Sequence, residues 1–127
     1  MALNFDPSNA YVLNNYSYFL SLRGERLDEA TKMAQQANTL SPNNSAYEDT
    51  YGWVLYKTGK YSDAKEWIGK ALDHGADNDG TVLEHYGDVL FKLGDIDGAV
   101  QYWTKAKAHN VDSANIDKKI ADRRLYE

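Results

Sequence analysis

The chain has 127 residues, 43% of them hydrophobic and 26% charged, enough for one domain and short for two. It has no cysteine, which excludes disulfides, thiolate metal sites and thiol nucleophiles. Its 19 acids against 14 bases leave a net charge of −5, the wrong sign for a surface that binds nucleic acid by neutralising phosphates.

Residues 2–9 stand 35 positions before the stretch that ends at Asn44, so Ala2 precedes Ala37 and Pro7 precedes Pro42 by one step. They read as the tail of a preceding unit's second helix, and the natural protein is expected to continue upstream. A first helix with Tyr16, Ser17 and Leu20 follows and runs into a turn at Arg23–Arg26, where one residue is extra. A second helix carries Ala30 and Ala37 and stops at Ser41-Pro42-Asn43-Asn44.

The next unit opens on Ser45-Ala-Tyr-Glu48, which reads as a capping box. Tyr51, Gly52 and Leu55 share one helix, Gly59 marks its end, and Ala64, Ile68, Ala71 and Leu72 form the second. Asp73–Gly80 has the acidity of a calcium loop, but Gly75 and Tyr86 stand where an acid and a glutamate are required. It reads instead as an acidic turn capping the next helix, with a second extra residue near Asp79.

Thr81-Val-Leu-Glu84 reads as another capping box, and Tyr86, Gly87, Leu90, Gly94, Ala99 and Ala106 repeat the pattern once more. Residues 114–125 are expected to form a last helix with Ile116, Ile120 and Ala121 on one face. Arg124 is placed where the earlier helices have Leu20, Leu55 and Leu90, as on a capping helix whose outer face meets water.

The period is 34–35 residues, and each period is helix, tight turn, helix. Ser17, Gly52 and Gly87 are expected to face Ala30, Ala64 and Ala99, letting paired backbones approach. A glycine inside a helix costs about 0.5–1 kcal/mol relative to alanine, so two in register require a packing reason. Trp67, Tyr102 and Trp103 are expected to pack between adjacent units, and His74, His85 and His109 to be solvated. No nucleophile–histidine–acid signature and no phosphate-cradling glycine loop occurs. No apolar run approaches the roughly 18–20 residues of a membrane span.

Residues 51–72 (Tyr-Gly-Trp-Val-Leu-Tyr … Gly-Lys-Tyr-Ser-Asp-Ala … Ala-Leu), 86–106 and 13–42 resemble tetratricopeptide repeats. Ala76 and Val111 depart from the pattern where proline is common, and Ser17 replaces glycine. The resemblance implies an all-α, right-handed superhelical array of antiparallel helix pairs, about three units plus a C-terminal capping helix. The units would be 10–44, 45–79 and 80–112, with 1–9 the tail of an upstream repeat and 113–127 the cap.

The resemblance also implies a non-catalytic scaffold without cofactor, whose first helices line a concave groove for a peptide or protein. Carried over residue by residue, that groove holds Tyr11, Asn14, Tyr18 and Ser21, then Asp49, Trp53, Tyr56 and Lys57, then Glu84, Asp88, Phe91 and Lys92, with Lys118 at the far end. Aromatic anchors among mostly acidic groups suit a ligand with apolar and basic side chains. The family's clamp for chaperone-tail carboxylates is not matched: Asn15 fits one asparagine, but Tyr18, Thr81, Glu84 and His85 replace the other polar and basic residues. A structural spacer or oligomerisation segment is the alternative, with monomer or weak self-association expected. A helical-repeat RNA binder is disfavoured by the acidic groove. The style is similar to large bacterial repeat proteins, implying the cell envelope (periplasm), with cytoplasm as alternative.

Overall fold

Small side chains at matched positions close three antiparallel helix pairs. In the computed structural model, which describes residues 9–109, 111 and 113–126, the helices are α1 (Ala10–Arg23), α2 (Leu27–Leu40), α3 (Ser45–Lys57), α4 (Tyr61–Asp73), α5 (Gly80–Lys92), α6 (Ile96–Ala108) and α7 (Ile116–Asp122). A single 3-10 turn, Ala76–Asn78, links α4 to α5, and no strand occurs among the described residues. The expected upstream tail falls almost wholly on residues 1–8, outside the described residues.

The pairs α1/α2, α3/α4 and α5/α6 meet at the expected seam. Ser17 Oγ donates to the Ala30 carbonyl at 2.7 Å. A Cβ on Gly52 would collide with the Ile68 side chain and lie 3.2 Å from the Ala64 carbonyl, and one on Gly87 would lie 2.5 Å from Trp103 Cδ1 and 3.1 Å from the Ala99 carbonyl. Ala30, Ala64, Ala99, Ala37, Ala71 and Ala106 are all fully buried. The absent methyl is therefore a packing requirement that overrides the propensity cost.

Each first helix ends alike. The carbonyls of Leu20, Leu55 and Leu90 accept from Glu25, Lys60 and Asp95 N–H at 3.1, 2.9 and 2.9 Å, and Gly59 and Gly94 hold the left-handed φ of 85° and 91° that this reversal needs. The extra residue of the first turn is absorbed by Arg26, also left-handed at φ 50°.

Helix starts differ from the sequence reading. Asn44 and Asp79, not Ser45 and Thr81, are the N-caps: Asn44 accepts from Tyr47 N–H, Asp79 from Thr81 and Val82 N–H. Glu48 and Glu84 do not return to the helix start. Both are buried and engaged by residues far along the chain.

The aromatics of the second helices make close contacts inside their own pairs, while Trp67 also faces Asn38 and Pro42, and Tyr102 faces Leu72, of the preceding unit. Trp67 stacks edge-on to Tyr51, and Tyr102 to Tyr86, within their own pairs at 4.8 and 4.6 Å. Trp103 is fully buried against Gly87 and Asp88 of its own pair.

The last helix is shorter than expected, seven residues ending before Arg123, which turns left-handed at φ 54°. Leu125, not Arg124, lies 35 beyond Leu90, and Leu125 packs on the cluster holding Leu90, Trp103 and Ile116. Ile116 is buried and Ile120 half-buried, while Ala121 faces water.

First helices touch one another in sequence, α1 against α3 and more lightly α3 against α5, and among the described residues α2 meets α4, and α4 meets α6, less than either. Close first helices and splayed second helices put α1, α3 and α5 on the inner side of the array's curve.

Candidate functional site

A step of 35 along the inner helices runs Asn14, Asp49, Glu84, Lys119. All four are buried, and buried polar groups require partners. His85 Nδ1–H donates to both Asp49 oxygens at 3.0 and 3.1 Å, joining α5 to α3. Lys119 Nζ donates to Glu84 Oε2 at 2.8 Å and Asp88 Oδ1 at 2.9 Å, joining α7 to α5. Ser113 Oγ adds a 2.7 Å bond to Glu84 Oε2, and Trp103 Nε1 a 2.9 Å bond to Asp88 Oδ1. Asn14 ends the ladder with its Oδ1 enclosed and unpartnered.

Electrostatics follow from that network. Burial acts to depress the His85 imidazolium, but the charge and hydrogen bond of Asp49, with Asp88 and Glu84 beyond, outweigh it and hold His85 above its ordinary value. Burial likewise opposes the Lys119 ammonium, and the two carboxylates overcome it and push Lys119 up. Asp88 is also raised: burial and the nearby Glu84 charge outweigh the pull of a lysine shared between two carboxylates.

Aromatic rings wall the same region. His85 stacks on Trp53 at 3.9 Å and Trp53 on Tyr56 at 4.6 Å, each pair within 16° of parallel. The Trp53 Nε1–H is enclosed without an acceptor. Trp53, Tyr56, Lys57, Glu84, His85, Asp88, Lys119 and Tyr126 line a cavity of about 240 Å³ between α3, α5 and the C-terminal segment.

Of the residues expected in the groove, Asp49, Trp53, Tyr56, Glu84 and Asp88 meet here. Trp53 and Tyr56 are only 8% and 4% exposed, so they serve as wall and core together. Tyr18 is half-buried, its phenol pushed up by burial and by Asp49 and Asp79. Ser21 is buried, donating to the Tyr18 carbonyl at 2.6 Å. Phe91 is half-buried near Trp103; Lys57 and Lys92 are exposed, Lys57 in the cavity lining and Lys92 5.9 Å over the Tyr61 ring.

Tyr11 is exposed and apart from the cavity. Lys118 is exposed too, 6.0 Å from the Tyr126 ring: the structure puts Lys119, not Lys118, at the end of the ladder. His85 is buried rather than solvated, and His74 pairs with buried Glu48 at 2.7 Å. Sequence reasoning missed His85, Lys119, Ser113 and Tyr126. The signal for Lys119 was present, since one more step of 35 from Glu84 lands on it.

Among the described residues no group of three or more His, Asp or Glu side chains is arranged to hold a metal ion, and no helix is long and apolar enough to cross a membrane.

The sequence profile of the tetratricopeptide repeat matches residues 2–123. No curated protein matches the chain. Among solved structures, the first TPR of Spaghetti (RPAP3) bound to the HSP90 peptide SRMEEVD is similar with a TM-score of 0.80 at 14% identity, over 96% of this chain and 95% of that one. The Sgt2 TPR domain from Aspergillus fumigatus gives 0.79 at 17% identity, over 90% and 76% of the two chains. Pseudomonas aeruginosa PilF gives 0.72 at 28% identity, over 93% of this chain and 57% of PilF.

Proposed function

The chain belongs to the tetratricopeptide repeat family, and from that premise we propose that it is a non-catalytic protein-interaction scaffold holding a peptide or protein segment along α1, α3 and α5. The division into units 10–44, 45–79 and 80–112 with a cap at 113–127 is part of the proposal. The observation that carries it is the cavity on that inner face, walled by Trp53, Tyr56 and Tyr126. Rings of this kind bury much area at low entropic cost and dominate binding hot spots.

A spacer role is favoured by one specific observation, the burial of Trp53 and Tyr56 in the core. The two readings separate at the exposed rim. Lys57→Glu with Lys92→Glu is expected to strengthen capture of a partner with basic side chains by the intact protein at unchanged melting temperature, because competing cations leave the acidic groove, while Lys32→Glu with Lys65→Glu on the second helices leaves capture as in the wild type. Equal capture by both pairs favours the spacer.

A further inference from the structure

We infer that the cavity between α3, α5 and the C-terminal segment takes one basic side chain, an arginine or lysine, from the segment bound along the groove. The inference rests on the binding role proposed above and names the chemistry of what is bound.

Unused acceptors support it. Glu84 is engaged through Oε2 and Asp88 through Oδ1. No described residue donates to Glu84 Oε1 or Asp88 Oδ2, and neither oxygen is among the enclosed unpartnered atoms. Both carboxylates line the cavity, so each keeps one open acceptor in a largely desolvated place, where a charged donor is held more strongly than in water.

Aromatic walls support it independently. The chain's own cations already gather on them: Lys57 Nζ lies 5.2 Å over Trp53, and Arg124 and Lys118 lie 5.1 and 6.0 Å over Tyr126. These three are exposed and free to swing aside. The inner cations are committed, Lys119 to Glu84 and Asp88, and His85 to Asp49. Trp53 Nε1–H is enclosed, so it reports on the cavity wall without meeting the ligand. A peptide fills the groove on either side of its cation, whereas a free amine does not.

The probe is a capped glycyl-arginyl-glycine tripeptide titrated into the intact protein, read by NMR at the Trp53 indole and the amides around Lys119. Citrulline and leucine analogues serve as neutral controls, and butylamine as the free amine. The arginine peptide is expected to shift these resonances about tenfold more tightly than citrulline, a difference of about 1.4 kcal/mol, and to weaken with added salt. Glu84→Gln and Tyr126→Ala should each weaken it. Tyr126 is only half-buried and lies outside the helices, so that variant keeps the test valid if Glu84→Gln unfolds. Equal binding of citrulline or leucine overturns the cationic ligand and leaves the groove standing. Equal binding of butylamine overturns the peptide source. If no peptide moves the resonances the inference fails, and partner capture by the rim variants shows whether the binding role fails with it.

Discussion

His85 Nδ1 sits 3.0 Å from Asp49 Oδ1, so a buried imidazole on α5 is tied to a buried carboxylate on α3 across the boundary between two helix pairs. Trp53 stacks on the same ring, which makes the pair a support for the cavity wall as well as a clasp between helices.

That clasp has a definite pH dependence. The folded protein holds His85 above the ordinary imidazole value of 6.5, so the stabilisation is complete below that value and is lost as pH rises through the elevated folded value. Asp49→Asn removes the main opposing charge and leaves the burial, so the His85 midpoint is expected to fall. NMR titration of the His85 ring protons checks the midpoint. The melting-temperature gap between wild type and variant should be widest in mild acid and narrow as pH rises.

Lys119 and Lys118 form a paired test of the ladder. Lys119→Met leaves Glu84 and Asp88 buried without their cation and is expected to cost about 3–5 kcal/mol. Lys118→Met touches only exposed surface and should stay within about 0.5 kcal/mol. Denaturant unfolding of both variants decides it, and equal effects would contradict the geometry.

Gly87→Ala should destabilise although alanine is the better helix former. The intrinsic gain of about 1 kcal/mol is opposed by a Cβ 2.5 Å from Trp103 Cδ1, and overpacking costs about 1–3 kcal/mol. Because Trp103 is fully buried, it has little room to move away. Thermal unfolding that matched wild type or exceeded it would refute the seam.

The array contains its own control for buried polarity. Asn38 and Glu48 occupy the junction of α2, α3 and α4, and 34 and 35 positions on, Leu72 and Leu83 fill the next junction. Asn38 Oδ1 is enclosed without a partner there. Replacing Asn38 and Glu48 together by leucine is expected to be neutral or stabilising by about 1–4 kcal/mol, whereas Glu48→Ala alone leaves His74 and the cavity unfilled and destabilises. Melting temperatures of the two variants check the order.

The fold was legible because its signals are short-range and repeated: Gly52 and Gly87 in register, alanines at a fixed step, glycines after the first helices. Glu48 and Glu84 were misread because a capping box is also a local pattern. Their actual partners, His74 and Lys119, lie 26 and 35 residues away, and nothing local distinguishes a glutamate that returns to its helix start from one that turns inward. His85 was misread for the same reason. Thr50 holds its place one unit earlier, so the repeat itself gives no hint that a charged ring belongs there.

The central claim is that the face of α1, α3 and α5 holds the partner. Photocrosslinking tests it most directly, with a benzophenone amino acid at Lys57 or Lys92 on that face and at Lys32 or Lys65 on the second helices of the full-length protein. Partner adducts from the first two positions and none from the others are expected. Adducts from the second-helix positions alone would contradict the account.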